Sequence, residues 1–153
     1  MCDICGGMTD DEYSEQVATS IGTFGWCVQY VTGEDKRNPG YAYTVGLSLH
    51  RHPEFIVFDQ LAERAYFALE PLAWAVLEGR RFDEGNDLSE YYPPPARAKL
   101  LRFPDSSTHL LLANVMFRDP GEPPIEALQL VRPGKLPLFD NPVSRRSRTR
   151  DAR

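Results

Sequence analysis

The chain has 153 residues, 42% hydrophobic and 25% charged, with a formal net charge of −5, the balance of one globular domain and not of a disordered chain. That length buries roughly 70% of the unfolded surface without help from a metal or disulfide, and three cysteines are too few for a disulfide-built secreted scaffold. The first residues lack the basic and apolar regions of a secretory signal, and the most apolar stretch, residues 61–77, is cut by Glu63, Arg64, Glu70 and Pro71, short of the ~20 apolar residues of a membrane span; the expectation is a cytoplasmic protein with reduced cysteines and no membrane partner.

In chain order, Thr9 and Glu12 have capping-box spacing, and Tyr13, Val17 and Ile21 recur every fourth residue, which predicts a helix ended by Gly22. Residues 24–31 are aromatic and β-branched and read as a strand. Thr32–Gly40 reads as a turn or hairpin loop, Tyr41–Gly46 as a second strand and Glu54–Phe58 as a third. Leu61–Glu78 carries the longest helical pattern, with Leu61, Ala65, Leu69, Leu72 and Val76 on one face; Pro71 either kinks that helix or starts another, and Gly79 caps it. Residues 91–95, Tyr-Tyr-Pro-Pro-Pro, make a stiff connector. A strand at 96–103, a segment at 106–117 that fits a helix or a strand and is read as a helix, and a strand at 125–131 complete the series. The predicted fold class is α+β: a single domain with a mostly antiparallel sheet of about five strands, covered on one face by two or three helices.

Charge divides the chain into segments. Residues 1–35 hold seven acids and no Lys or Arg, whereas residues 145–153 hold five Arg and one Asp. The expected organisation is a CxxC-containing segment at 1–8, a globular domain at 9–140 and a basic, disordered tail at 141–153. Such a balance argues against a nucleic-acid surface except weakly through the Arg tail.

Around the second predicted strand the motifs become specific. Gly25-Trp26, Pro39-Gly-Tyr-Ala-Tyr-Thr-Val-Gly-Leu47 and His52-Pro-Glu-Phe-Ile-Val57, with Leu128-Gln-Leu-Val131 and Pro133-Gly-Lys-Leu-Pro137, resemble the domain of unknown function 4262 family of small bacterial proteins. The resemblance covers about Phe24 to Asp140 and implies a shared fold and a shared pocket, with no established activity. Leu138 stands where that family more often has tryptophan, and Arg132 replaces a common aromatic residue.

The chemistry concentrates in the loop after Gly46. A His–Glu pair two residues apart, His52 and Glu54, serves as a base and its orienter or as two metal ligands; alternatively His52 bonds a loop carbonyl and Glu54 caps a neighbouring turn. The candidate pocket comprises Trp26, Tyr43, Thr44, Gly46, His52, Glu54 and Gln129. Cys2 and Cys5, at CxxC spacing, form half of a zinc site, for which Cys27, His50, His52 and His109 are the available further ligands, His50 and His52 sharing a strand face; alternatively the CxxC is a redox pair or an inert segment. Trp74 and Phe67, at helical spacing, read as core. There is no Gly-rich phosphate loop, no nucleophile elbow and no His-Glu-x-x-His. Two function classes follow. The first is a binding or regulatory module acting through protein contacts. The alternative is a small enzyme or ligand-binding protein, metal-dependent or not, with its pocket around the Tyr-Thr-Val-Gly-Leu and His-Pro-Glu segments.

Overall fold

Phe55 and Val57 lie on one side of their strand, Ile56 and Phe58 on the other, and all four are buried. A strand that is apolar on both faces needs cover on both. The computed structural model describes residues 10–35, 37–94 and 96–132, and among them it supplies that cover. Strands β1 (Cys27–Val31), β2 (Tyr41–Val45) and β3 (Glu54–Phe58) form an antiparallel meander. Strand β5 (Ala127–Val131) runs parallel to β3, and β4 (Lys99–Arg102) pairs antiparallel with β5 at the far edge, giving the order β1-β2-β3-β5-β4. The fold is therefore a single α+β domain with a five-stranded, mostly antiparallel sheet.

Helix α2 (Ala62–Leu77) packs Ala65, Leu69, Leu72 and Val76 against Ala42, Phe55 and Val57. Helices α1 (Asp10–Phe24) and α4 (Leu111–Phe117), with Leu110 between α3 (Ser106–His109) and α4, send Val17, Ile21, Ala113 and Leu110 against Tyr43, Val45, Ile56 and Phe58. The helices thus lie on both faces and not on one, because the central strand has no polar side to leave in water.

Other boundaries differ from the sequence reading for local reasons. Helix α1 runs through Gly22, and Gly25, at φ +89°, ends it by donating its N–H to the Ile21 carbonyl at 2.7 Å. Thr9, the expected cap, lies outside the described residues, as do the CxxC segment and the tail. Helix α2 continues unbroken past Pro71 and closes with Gly79 N–H on the Val76 carbonyl and Arg80 N–H on that of Ala75, the paired bonds of a Schellman end. The helix expected at 106–117 breaks at buried Leu110. There the Asn114 side-chain amide donates to the carbonyls of Ser106 and Leu110 at 3.0 and 2.9 Å, a second donor on oxygens that already accept the Leu110 and Asn114 backbone N–H groups, so a side chain braces the two short helices across the break. The last two strands are shorter than expected, starting at Lys99 and Ala127.

Pro71 gives a first expected result. Mid-helix proline has no N–H for the carbonyl four residues back and crowds it, while stiffening the unfolded chain slightly. Pro71→Ala should therefore raise stability by about 1–2 kcal/mol, read from urea denaturation; a loss would show that the ring itself is needed where it packs.

Candidate functional site

The segment between β2 and β3 is a short corner. Gly46, at φ +124°, turns the chain into a 3-10 turn, Leu47–His50, which Arg51 ends in the left-handed conformation before Pro53 leads into β3. Three consecutive backbone N–H groups therefore point inward, and Glu54 receives them. Its carboxylate is wholly buried. Oε2 accepts Gly46 N–H at 3.2 Å, Ser48 N–H at 2.9 Å and the Ser48 hydroxyl at 2.6 Å. Oε1 accepts Leu47 N–H at 3.1 Å and the Thr44 hydroxyl at 2.8 Å. Thr44 Oγ1 in turn accepts Phe55 N–H at 2.8 Å, which ties β2 to β3 where the ladder ends. Burial pushes the Glu54 carboxyl above its ordinary range, and the donors from Ser48, Thr44 and Leu47 pull it back only in part.

His52 is buried beside this corner but faces elsewhere. Phe82 N–H donates to its Nε2 at 2.9 Å. Since an N–H can only donate, Nε2 is unprotonated and Nδ1 carries the proton, which it gives to the Pro53 carbonyl at 2.8 Å. Both ring nitrogens are engaged, and in this geometry neither offers a lone pair to a metal or a substrate proton. The ring packs against Phe55 and Phe82, with centroids 5.4 and 6.0 Å away. Arg81 holds the back of the corner, its guanidinium donating to the carbonyls of His50 (3.0 Å) and Arg51.

Desolvation, first among the influences on His52, lowers its pKa. The sign follows: folded His52 stays neutral while the unfolded chain takes up a proton below about pH 6.5, so stability present above that pH is lost as pH falls through it. Glu54, raised by burial, acts oppositely, its penalty fading as pH falls toward its unfolded value near 4.5. His52→Gln, whose carbonyl can still accept Phe82 N–H, should flatten the decline in melting temperature between pH 6.5 and 5. An unchanged decline would assign it to other groups.

The remaining predicted residues are scattered. Tyr43 faces the opposite layer, where its hydroxyl accepts Leu112 N–H at 3.1 Å. Gln129 is buried in β5 beside Ile56 of β3. Trp26 is buried on the α2 side, its ring stacked on Tyr66 at 6.0 Å and edge-on to Trp74 at 5.7 Å. The structure thus joins Thr44, Gly46 and Glu54, brings the Trp26 backbone against Gly46 while its ring turns to α2, and sets the side chains of Tyr43, His52 and Gln129 apart from them. Cys2 and Cys5 lie outside the described residues; His50 is exposed in the turn rather than on a strand face with His52. No group of three or more His, Cys, Asp or Glu among the described residues is placed to hold a metal.

Sequence reasoning missed Ser48 and Arg81, which look like any loop serine or surface arginine. It also missed Asp59, fully buried, which receives Arg64 Nε at 2.6 Å, Arg132 at 2.9 Å and Leu61 N–H at 2.9 Å. Burial works to raise its pKa, but these donors and the two guanidiniums outweigh it and hold the carboxyl low. Arg132 is thus an ion-pair partner at the end of β5. Phe67 and Trp74, expected in the core, are 58% and 40% exposed, since α2 buries its Leu69–Leu72–Val76 side.

Two cavities flank this framework. One, of about 740 Å³, opens between α1, β1 and α2, walled by Phe24, Trp26, Tyr66 and Trp74. The other, of about 590 Å³, adjoins the corner at Arg51 and Pro53. No helix among the described residues is long and apolar enough to cross a membrane.

A sheet with helices on both faces, its second and third strands fastened by a buried glutamate, defines an α+β domain built around a braced corner. The chain belongs to the family described as Domain of unknown function (DUF4262), whose model matches residues 20–139, from within α1 to beyond β5. No curated protein and no solved structure matches the chain.

Proposed function

We propose that the protein is a binding module that acts through protein contacts, and that its contact surface is the groove between α1, β1 and α2. The observation that carries this reading is the aromatic wall of the groove, where Phe24, Trp74 and Tyr66 are 59%, 40% and 39% exposed. Aromatic side chains gathered around a cavity on a monomer's surface are the composition of interaction sites. The alternative, an enzyme or ligand site at the His-Pro-Glu corner, has less support: both nitrogens of His52 and both oxygens of Glu54 are engaged in holding the backbone.

Charge indicates the partner. Glu63 lines the groove and Glu70 stands beside Tyr66, whereas the neighbouring base, Arg64, is turned to Asp59. The fitting occupant is a basic segment of another protein that carries apolar anchor residues. A cytoplasmic setting is part of this proposal; in the groove wall, burial pushes the Cys27 thiol up to about 12, so it stays protonated and adds no charge there.

The test is a titration followed by tryptophan fluorescence, using a synthetic peptide of alternating Arg and Leu beside its Glu and Leu counterpart. The basic peptide is expected to shift the emission and the acidic one to leave it unchanged, and Trp74→Ala with Phe24→Ser should weaken binding tenfold or more. Equal response to both peptides, or full affinity in the double variant, would remove the groove from consideration.

A further inference from the structure

We infer that the cleft beside the braced corner is a binding site for a small organic oxyanion, a phosphate monoester or carboxylate on a compact apolar body, held by Arg51, Arg81 and Arg102. The inference is independent of the aromatic groove, which lies elsewhere on the fold.

It starts from a conformation. Among the described residues Arg51 is the only non-glycine with positive φ, at +56°. The residue that closes a helical turn in this way is usually Gly, sometimes Asn, because a Cβ is penalised there. An arginine in that position keeps a strained backbone for the sake of its side chain. Yet the Arg51 guanidinium forms no ion pair and no hydrogen bond with the described residues. It lines the cleft instead.

Arg81, from the chain just after α2, lines the same cleft. Two carbonyls fix its guanidinium, and carbonyl oxygens orient a positive charge without neutralising it. Of its five N–H bonds, three remain to be given. Arg102, at the end of β4, completes the rim; its guanidinium pairs loosely with Asp83 at 3.6 Å, and Glu84 accepts its backbone N–H, which leaves Arg51 and Arg81 as the guanidiniums without a carboxylate partner among the described residues. Asp83 and Glu126 are the acids of the lining, against three guanidiniums. A cationic cleft in a chain of net charge −5 is a local arrangement and not an average one.

Guanidinium groups favour oxyanions because their planar forks donate two parallel bonds to one head group. The cleft's floor is apolar, made by Phe82, Phe103 and Leu128. Its volume of about 590 Å³ falls in the range of small-molecule sites, ~300–1,000 Å³. Head group and body are thereby both specified.

Calorimetric titration of the full chain at low ionic strength tests the inference, with phenyl phosphate, benzoate, inorganic phosphate and the neutral benzyl alcohol as probes. Phenyl phosphate or benzoate is expected to bind, the tighter of the two naming the head group, while inorganic phosphate binds at least tenfold more weakly and benzyl alcohol not at all. Arg51→Gly separates shape from chemistry: relieved backbone should raise the melting temperature, while the lost guanidinium weakens binding tenfold or more. Arg102→Gln, at an exposed position, should also weaken it. Unchanged affinity in Arg51→Gly, or benzyl alcohol binding as well as the anions, overturns the site.

Discussion

Glu54→Gln is expected to remove about 3 kcal/mol of stability despite preserving shape and volume. Each carboxylate oxygen accepts a backbone N–H in a fully buried site, Oε2 from Gly46 and Ser48 and Oε1 from Leu47. An amide can place its oxygen on one side only, and its NH2 then faces N–H groups that have nothing else to donate to. A buried donor left unsatisfied costs about 1–3 kcal/mol, and at least one such group results from either orientation, with a hydroxyl bond disturbed beside it. Relief from burying a charge offsets part of this, since burial already pushes the Glu54 carboxyl up. A protonated carboxyl can turn its O–H toward Ser48, however, and an NH2 cannot withdraw from the backbone. Chemical denaturation of the variant measures the difference, and a change below ~1 kcal/mol would contradict the capping role.

Gly46→Ala is expected to cost about 2–3 kcal/mol through a separate cause, backbone strain plus contact. At φ +124° an L side chain is strained whatever space surrounds it, and here there is none. A Cβ would stand 2.9 Å from the Gly25 carbonyl oxygen and 3.0 Å from Trp26 Cα. Both obstacles are main chain, so relief requires β1 to move, and with it the Trp26 ring packed among α2 residues. Gly46→Val, bulkier and β-branched, should lose more. If Gly46→Ala melts with the parent, the close approach of β1 to the corner is not a constraint.

The elements that were legible in sequence are those with local causes. β3 falls at Glu54–Phe58 as read because its apolar run is bounded by Pro53 and Asp59, and α2 because its period is sustained over four turns. Gly79 was recognisable as a helix end for the same reason. What escaped depends on distance along the chain. Gly25 stops α1 at a positive φ, with the Leu77 methyls of α2 close to where a Cβ would stand, and nothing near Gly22 or Gly25 in sequence tells the two apart. Asn114 braces a helix break four residues back, bonding the carbonyls of Ser106 and Leu110, while receiving the Ile125 N–H at 3.1 Å, a role invisible before the chain has folded over. In the site, Gly46, Thr44 and Glu54 announced themselves through spacing and residue type. His52 was seen, but its partner, the Phe82 N–H, lies thirty positions downstream. Arg81 was hidden for the same reason.

The pairing of β3 with β5 bears on how the chain reaches this state. β1, β2 and β3 join through short connections, so their meander can form early from neighbours in the chain. The sheet's inner seam joins Glu54 to Ala127 and Ile56 to Gln129, and closing it means bringing together segments separated by α2, a connector, β4, α3 and α4. Contacts of such sequence separation slow folding, because chain entropy is given up before they form. Until then β3 presents an unpaired edge that is apolar from Phe55 to Phe58, the kind that invites pairing with another chain. Hydrogen exchange should therefore show β4 and β5 protected later than β1 and β2 during refolding, and a nascent chain stopped before Ala127 would carry that open edge out of the ribosome.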